Sequence, residues 1–184
     1  SRIRMISFVG GTDTGKELME KSASTLKKLH LELGGNDPAI VLEDARLDKE
    51  EITKIKNGIL RGAGQVCSAI KRIYVHESRY EELLDKLKRE FNKVTVGEGI
   101  HPDSTMGPLN NKGQYEFVTN LLKNAEKNGA TVEHYGRKLN EEKWDKGYFM
   151  LRAIVTNVKQ QDEIVHAEQF GPVIPIIPFT DLDQ

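Results

Sequence analysis

Cys67 is the first candidate for a reactive side chain, because it is the single cysteine of the 184-residue chain. One cysteine cannot form a disulfide within the chain or build a cysteine-rich zinc site. Most free cysteines are buried and inert, but the stretch "GAGQVCSA" places glycines and the polar Gln65 and Ser68 beside this thiol. Backbone N–H groups of a helical turn starting at Ser68 and Ala69 would favour the thiolate and lower the thiol pKa below roughly 8.5. We therefore predict a reactive thiol with room for a substrate.

Two further stretches carry carboxylates next to glycines. "LELGG" places Glu32 at the end of a predicted strand, where open α/β sheets bind ligands. "HAEQFGP" offers Glu168 for a sugar hydroxyl and Phe170 for stacking on a heteroaromatic ring. Taken alone, an isolated Glu is usually solvated and a Gly-Pro stretch is usually a turn, so neither stretch defines a site by itself.

The stretch "FVGGTDTGKE" nearly matches a phosphate-binding P-loop through Gly10, Gly15 and Lys16. A P-loop needs a hydroxyl after the lysine to hold Mg²⁺, and Glu17 cannot supply one. A nucleotide-dependent phosphotransferase is therefore a lesser alternative. Backbone N–H groups at Gly10, Gly11 and the next helix N-terminus could still meet a phosphate. A tight strand-to-helix turn without a ligand explains the glycines equally well.

The elements that must position these residues follow from hydrophobic periodicity. Asp44 and Asp48 are candidate caps of the second helix, Ser78 is the candidate cap of the third, and Gly129 ends the fourth. The prolines of "VIPIIPF" favour an edge or irregular strand. The predicted strands are 3–9, 29–33, 39–42, 71–76, "ATVEHYG", "YFMLRAIVTNV" and "VIPIIPF", and the predicted helices are 14–25, 48–60, 78–91 and 112–128. This alternation predicts an α/β fold with a mostly parallel open sheet and helices on both faces.

Composition excludes several classes of protein. The 27 basic and 28 acidic residues give a formal net charge of −1, so we predict no nucleic-acid partner. No apolar run reaches the roughly 18 residues of a membrane span, and we expect a cytoplasmic protein without a membrane partner. The histidines lack ligand spacing, so we predict no metal site. They are His30, His76, His101, His134 and His166.

Taken in order, "FVGGTDTG", "LELGG", "GQVCSA" and "EQFGP" resemble the NAD(P)-dependent aldehyde dehydrogenase superfamily. The resemblance covers nearly the whole chain, and the spacing from Glu32 to Cys67 fits that family. The glycine turn is similar to the family's dinucleotide-binding turn, which makes the P-loop match accidental. "CSAIKR" leans towards the non-phosphorylating glyceraldehyde-3-phosphate dehydrogenase branch, although Val66 stands where that branch often has arginine.

The resemblance implies a role for each motif. Cys67 would attack the aldehyde carbon, and Glu32, partly buried, would activate the water that hydrolyses the resulting thioester. NAD or NADP would be the cofactor, with Glu168 binding the nicotinamide ribose and Phe170 packing near it. The remaining cofactor contacts would come from Gly10, Gly11, Thr14, Gly15 and Leu33. The family turn usually has serine at the position of Gly11, so one hydroxyl contact to the pyrophosphate is lost.

The resemblance also implies a domain division and a larger enzyme. Residues 1–33 would be the last part of the dinucleotide-binding domain, and residues 34–184 the catalytic domain with the thiol. We expect a homo-oligomer in the full-length protein and little turnover from this chain alone, because the family's oxyanion-hole asparagine would lie upstream. The alternative is a truncated structural or binding relative without turnover. The sequence leaves the identity of the aldehyde open.

Overall fold

The computed structural model describes residues 2–182, which divide into two compact units, one ending at Gly35 and one starting at Asn36. The first unit is a strand-helix-strand motif. Strand β1 (Met5–Val9) leads into helix α1 (Thr12–Ala23), and strand β2 (Lys28–Glu32) returns parallel to β1, with Phe8 opposite Leu31. Parallel neighbours need a crossover connection of this kind, which the helix provides.

The second unit is built on a five-stranded sheet. Its strand order is β3-β4-β9-β8-β6, and β6 alone runs antiparallel to its neighbour. The elements are β3 (Asp37–Val41), α2 (Lys49–Leu60), β4 (Ile70–His76), α3 (Glu77–Asn92), β5 (Thr95–Val96), α4 (Lys112–Lys127), β6 (Thr131–Tyr135), β7 (Arg137–Lys138), α5 (Glu141–Trp144), β8 (Arg152–Thr156), α6 (Glu163–His166) and β9 (Val173–Phe179). Strands β5 and β7 form a separate two-stranded pair. The predicted α/β class with a mostly parallel sheet is confirmed.

Helices cover both faces of this sheet. Along β8, Ile154 packs into a core with α2 and α3, while Ala153 and Val155 on either side of it pack into a second core with α4 and α6. Successive strand side chains point to opposite faces, so one buried strand feeds two cores. This explains why β8 is buried at every position.

The helix ends agree with the sequence in part. The Asp48 side chain accepts hydrogen bonds from the backbone N–H groups of Glu50 and Glu51, which confirms it as the cap of α2. Ser78 is not the cap of α3, because the helix begins one residue earlier and the His76 ring accepts the Ser78 backbone N–H instead. Gly129 follows α4 with a φ of +96°, the left-handed conformation that glycine adopts readily at helix ends.

For β9, which we expected to be an edge or irregular strand, the edge position is wrong, since β9 is the middle strand of the five. Its first part, Val173–Pro175, lies in register with β8, and its second part, Ile176–Phe179, lies in register with β4. A proline lacks the N–H that a sheet ladder uses. The partner changes directly after Pro175, so its missing donor falls where the β8 ladder ends. Pro178 lies opposite Val75 in the β4 ladder, beyond the end of the β8 register.

The sheet also brings two loops together. The segment with Cys67 leads into β4, and the segment with Glu168 and Phe170 leads into β9. Strands β4 and β9 are neighbours and run parallel, so their amino ends lie at the same edge of the sheet. The two predicted motifs of this unit therefore meet at one place.

Candidate functional site

The loop before Cys67 turns through three consecutive left-handed residues. Gly62, Ala63 and Gly64 have φ values of +58°, +58° and +77°. This conformation costs little for glycine and roughly 1–2 kcal/mol for alanine, so Ala63 carries strain within a buried turn. The turn ends α2 sharply and carries the chain to the thiol.

Cys67 is exposed, so the structure does not place the thiol in a packed apolar core. The backbone around it corrects one expectation. The Ala69 N–H donates to the Val66 carbonyl at 3.0 Å, which closes a turn, and strand β4 begins at Ile70. No helix starts at Ser68, so helical N–H groups do not stabilise a thiolate here.

Gly64 holds the two loops against each other. A Cβ atom at this position would lie 2.1 Å from the Gly171 carbonyl oxygen, a distance that no real side chain tolerates. The close approach joins the thiol loop to the loop "EQFGP" through their backbones. Only glycine satisfies both this contact and the left-handed φ.

The side chains of Gln114 and Gln65 form hydrogen bonds with the backbone of the two loops. The Gln114 amide donates to the carbonyls of Gln169 at 2.8 Å and Phe170 at 3.1 Å. The Gln65 amide donates to the Gly62 carbonyl at 3.1 Å, and its oxygen accepts the Asn110 N–H at 2.7 Å. These bonds satisfy backbone groups of the turn before Cys67, of the loop at Asn110 and of the loop "EQFGP", which keeps these segments in place.

Lys71 lies beneath the thiol loop with a side chain that is only 2% exposed. Its ammonium group donates to the carbonyls of Val66 at 2.6 Å, Cys67 at 3.0 Å and Ala69 at 3.2 Å. An ammonium group has three donors, and three carbonyls of one turn use them. The cation therefore organises the backbone on both sides of the nucleophile candidate.

The sequence motifs did not reveal these contacts of Lys71, although the sequence of β4 carries a signal for them. Residues Lys71, Ile73 and Val75 alternate along β4 and all point into the protein. A lysine on the apolar face of a strand must find partners for its charge. That requirement marks it as a candidate structural or functional cation.

Burial lowers the pKa of the Lys71 ammonium group, because the charged form loses its hydration. The negative charges of Glu168, Asp37 and the Cys67 thiolate oppose this effect. Two carboxylates from different segments, Glu168 and Asp37, therefore interact with one buried cation.

The Glu168 carboxylate lies on the other side of this cation. Its Oε1 is 3.9 Å from the Lys71 Nζ, too far for a hydrogen bond but close enough for an ion pair. The same oxygen is buried and has no hydrogen-bond donor among residues 2–182. Phe170, half-buried with a φ of +46°, follows in the same loop. The carboxylate can therefore still accept a hydrogen bond from a hydroxyl group.

In the first unit, the glycine turn is a strand-to-helix junction. The Gly10 N–H donates to the Glu32 carbonyl at 3.0 Å, so this amide serves the sheet. Gly11 is the N-cap of α1 with an extended backbone, and the first intrahelical bond runs from Gly15 N–H to the Gly11 carbonyl at 3.1 Å. The helix amides at 12–14, including Thr14, therefore have no acceptor one turn earlier.

Gly15 and Leu33 pack directly against each other. A Cβ atom on Gly15 would lie 2.7 Å from the Leu33 Cδ2, so glycine lets α1 approach this side chain. Lys16 lies in α1, and the Glu17 carboxylate pairs with Lys21 one turn later. The two residues of the apparent P-loop end are thus ordinary helix positions.

Glu32 is the last residue of β2, and 63% of its side chain is exposed, which differs from the partial burial we expected. The His30 Nε2 is 3.6 Å from its carboxylate, and the Ser7 hydroxyl lies 3.3 Å from the His30 Nδ1. The structure thus gathers Cys67, Glu168 and Phe170 in the second unit, while Glu32 and the glycine turn belong to the first.

Two kinds of feature are absent from residues 2–182. No group of three or more His, Cys, Asp or Glu side chains is arranged to hold a metal ion. No helix in this range has the length and apolarity needed to cross a bilayer.

Comparison with known proteins adds a family. A family model described as "Aldehyde dehydrogenase family" matches residues 1–184. A curated relative, the 3,6-anhydro-alpha-L-galactose dehydrogenase of Vibrio sp. (strain EJY3), is 35% identical over 180 residues, which are 98% of this chain and 37% of that protein. The chain therefore spans little more than a third of the length of this relative.

Solved structures agree with this match. The NAD⁺ complex of aldehyde dehydrogenase from Bacillus cereus is 40% identical, has a TM-score of 0.89 and is covered over 36% of its length by 98% of this chain. An NADP-dependent enzyme from E. coli is 34% identical with a TM-score of 0.89, again with coverage of 98% and 36%. At these identities the similarity extends to sequence as well as fold.

Proposed function

The chain belongs to the aldehyde dehydrogenase family, and we propose that it supplies the thiol nucleophile of a larger enzyme that oxidises an aldehyde to a carboxylic acid with NAD⁺ or NADP⁺. We refer to that larger protein as the complete enzyme. Similarity to proteins of nearly three times this length supports the larger size. The exposed thiol of Cys67, which follows a turn packed against the Glu168 loop, is the observation that carries the proposal.

The first step uses the only sulfur nucleophile of the chain. The Cys67 thiolate attacks the aldehyde carbon, a C–S bond forms, and the carbonyl oxygen takes up a proton to give a thiohemiacetal. NAD⁺ or NADP⁺, when bound, would supply the acceptor for the hydride that this carbon loses. Loss of the hydride and of the hydroxyl proton leaves a thioester on Cys67, so the carbon is oxidised by two electrons.

The second step releases the acid. We propose Glu32 as the general base that takes a proton from water, whose oxygen attacks the thioester carbonyl. The C–S bond breaks, the carboxylic acid leaves, and the Cys67 thiolate is restored. The exposed carboxylate of Glu32 at a strand end supports this role, since it is open to water.

The residues present fit a dinucleotide. The buried Glu168 Oε1 lacks a donor in the described range, which suits a ribose hydroxyl, and Phe170 would pack beside the nicotinamide. Gly11, Thr14 and the amino end of α1 suit a pyrophosphate. Gly10 would contribute close backbone approach only, because its amide is used by Glu32.

The remaining cofactor contacts are apolar. Leu33 would lie near the nicotinamide, and Gly15 would keep α1 close to this side chain, as their packing supports. We also propose that residues 1–33 belong to the dinucleotide-binding domain and residues 34–184 to the thiol domain.

The test uses the complete enzyme, an aldehyde and NAD(P)⁺. We expect Cys67→Ser to abolish both NAD(P)H formation and the acyl-enzyme seen by mass spectrometry, since an alcohol at this position is a weak nucleophile. We expect Glu32→Gln to preserve one burst of NAD(P)H and to accumulate the thioester. Glu43→Gln, an exposed carboxylate elsewhere, is the matched control. Undiminished NAD(P)H formation by Cys67→Ser would refute the proposal.

Assembly and location form a second, separate part of the proposal. We propose a cytoplasmic homo-oligomer, and large apolar side chains on the surface of the second unit support association, with Ile40 at 61% and Phe117 at 40% exposed. Light scattering of the complete enzyme measures the oligomeric state, and cell fractionation measures the location.

A further inference from the structure

We propose that Lys71 is a positioning residue that sets the ionisation of the Cys67 thiol and orients the Glu168 carboxylate. The inference rests on the proposed function for the roles of Cys67 and Glu168. The contacts of Lys71 with these residues do not depend on that function. None of the four sequence motifs assigns a role to this lysine.

The first observation is the set of partners. The ammonium group of Lys71 donates to the carbonyls of Val66, Cys67 and Ala69, at 2.6, 3.0 and 3.2 Å. Here all three donors point to the turn that carries the nucleophile candidate, so this cation fixes the backbone on which the sulfur is mounted.

The second observation is the charge. The side chain of Lys71 is 2% exposed, so its field is screened less by water than that of a surface lysine. The charged groups around it are the Glu168 carboxylate, the Asp37 carboxylate on β3 and the Cys67 thiol itself. A buried cation favours the thiolate over the neutral thiol.

The third observation is the geometry of Glu168. Its Oε1 lies 3.9 Å from the Lys71 Nζ and has no hydrogen-bond donor within residues 2–182. The ion pair holds the carboxylate near the thiol loop while leaving its acceptor positions open. One cation therefore ties the nucleophile loop to the loop proposed to bind the ribose.

The deciding experiment measures Cys67 alkylation by iodoacetamide against pH in the complete enzyme without substrate or cofactor, with the Cys67 peptide quantified by mass spectrometry. We expect Lys71→Met to shift the midpoint of the rate profile upwards and to slow alkylation at pH 7 about three- to tenfold, as for a thiol that loses a nearby cation. A loss of packing alone would change accessibility at every pH and leave the midpoint in place.

Lys86→Met is the matched control. The Lys86 ammonium also donates to a backbone carbonyl, that of Leu47 at 2.6 Å, and its removal changes the net charge equally. We expect its midpoint to equal that of the wild type. Lys71→Gln is the second variant if Lys71→Met does not fold, because the amide keeps donors for the carbonyls and loses the charge. An unchanged midpoint in a folded Lys71 variant would overturn the role in thiol ionisation.

The role at Glu168 has its own readout. We expect Lys71→Met to raise the KM of NAD(P)⁺ at least about threefold, since the carboxylate loses its ionic partner. An unchanged KM would overturn this half of the inference. If the wild-type enzyme oxidises no aldehyde but the alkylation midpoint still shifts, the proposed function fails and the role of Lys71 in thiol ionisation stands.

Discussion

At the scale of the residue, the chemistry that we propose for this chain depends on a few polar side chains that lie next to glycines. Cys67 is exposed, while the lysine beneath it is almost completely buried. Glu168 lies between these extremes, with one buried oxygen that no donor in the described range satisfies. A buried acceptor without a partner costs free energy unless a ligand or water completes it.

This unsatisfied oxygen leads to a prediction for the complete enzyme. We expect Glu168→Gln to raise the KM of NAD(P)⁺ about tenfold, because the ribose hydroxyls exchange a charged acceptor for a neutral one. Steady-state kinetics with varied cofactor measure the change. Glu163→Gln, the same substitution at an exposed position five residues earlier, should leave the KM unchanged. Equal KM values for both variants would contradict a ribose contact at Glu168.

At the scale of the element, two short connections do the positioning. The turn before Cys67 approaches the backbone of Gly171 so closely that Gly64 has no substitute. Its neighbour Gly62 shares the left-handed conformation but has open surroundings, since a Cβ atom there would meet only the Val66 side chain at 3.4 Å. A side chain at Gly62 would therefore meet backbone strain alone, whereas a side chain at Gly64 would meet both backbone strain and a steric clash.

Alanine substitutions at these two positions test that separation. We expect Gly62→Ala to lower the free energy of unfolding by about 1 kcal/mol, the usual cost of a left-handed alanine. We expect Gly64→Ala to lower it by more than about 3 kcal/mol, because the Gly171 backbone must also move. Urea denaturation of the complete enzyme measures both. Similar losses for the two variants would show that the loops do not depend on this contact.

The N-cap of α1 offers a gain-of-function prediction. Gly11 has an extended backbone with φ −69° and ψ 150°, and a Cβ atom there would meet nothing within 4 Å. Serine therefore fits, and as an N-cap it would present a hydroxyl beside the helix amides. We expect Gly11→Ser to lower the Kd of NAD(P)⁺ about three- to tenfold in calorimetry, as for one added hydrogen bond.

Gly99→Ser serves as the control for this gain, because a Cβ atom on Gly99 also meets nothing within 4 Å and the residue lies in a loop of the second unit. Its Kd should match that of the wild type. If Gly11→Ser weakened binding, or changed the Kd no more than Gly99→Ser does, the turn would not lie against the pyrophosphate.

At the scale of the whole molecule, the second unit is a sheet with a core on each face, and ion pairs bind its outer helices to it. Lys88 on α3 reaches the Glu133 carboxylate on β6 at 2.7 Å. The hydrogen bond from Lys88 lowers the pKa of Glu133 below its ordinary 4.5, and the bond from Lys93 likewise lowers the pKa of Glu90. Such carboxylates stabilise the fold in their ionised form.

These shifts set the direction of the pH dependence. As the pH falls, these carboxylates bind protons in the unfolded chain at a higher pH than in the folded state, because their folded-state pKa is lowered. The stabilisation is therefore present above the ordinary pKa of 4.5 and is lost as the pH falls through the folded-state pKa. The free energy of unfolding should decrease less between pH 7 and pH 3.5 in Glu133→Gln than in the wild type. The effect should stay below about 1 kcal/mol, since the pair is partly solvated.

Urea unfolding at both pH values measures this effect, and Glu142→Gln, an exposed carboxylate on α5, is the comparison. The variant Glu133→Gln should show a smaller acid loss than Glu142→Gln. Identical acid losses would show that the Lys88 pair contributes no stability at neutral pH.

The sequence by itself determined the local features. Hydrophobic periodicity predicted the main strands and the longer helices, because core packing repeats every two residues in a strand and every 3.6 in a helix. The cap at Asp48 was readable because its partners lie two and three residues away. The four chemical motifs were readable for the same reason, since each is a short run of fixed residue types.

Only the tertiary structure decided what depends on strand order. Neighbouring parallel strands β4 and β9, distant in the chain, bring the thiol loop to the Glu168 loop. The same pairing made β9 central in spite of its prolines, and it buried Lys71 beneath Cys67. Local patterns do not encode which distant segment a strand will meet, because pairing is decided by the packing of both faces at once.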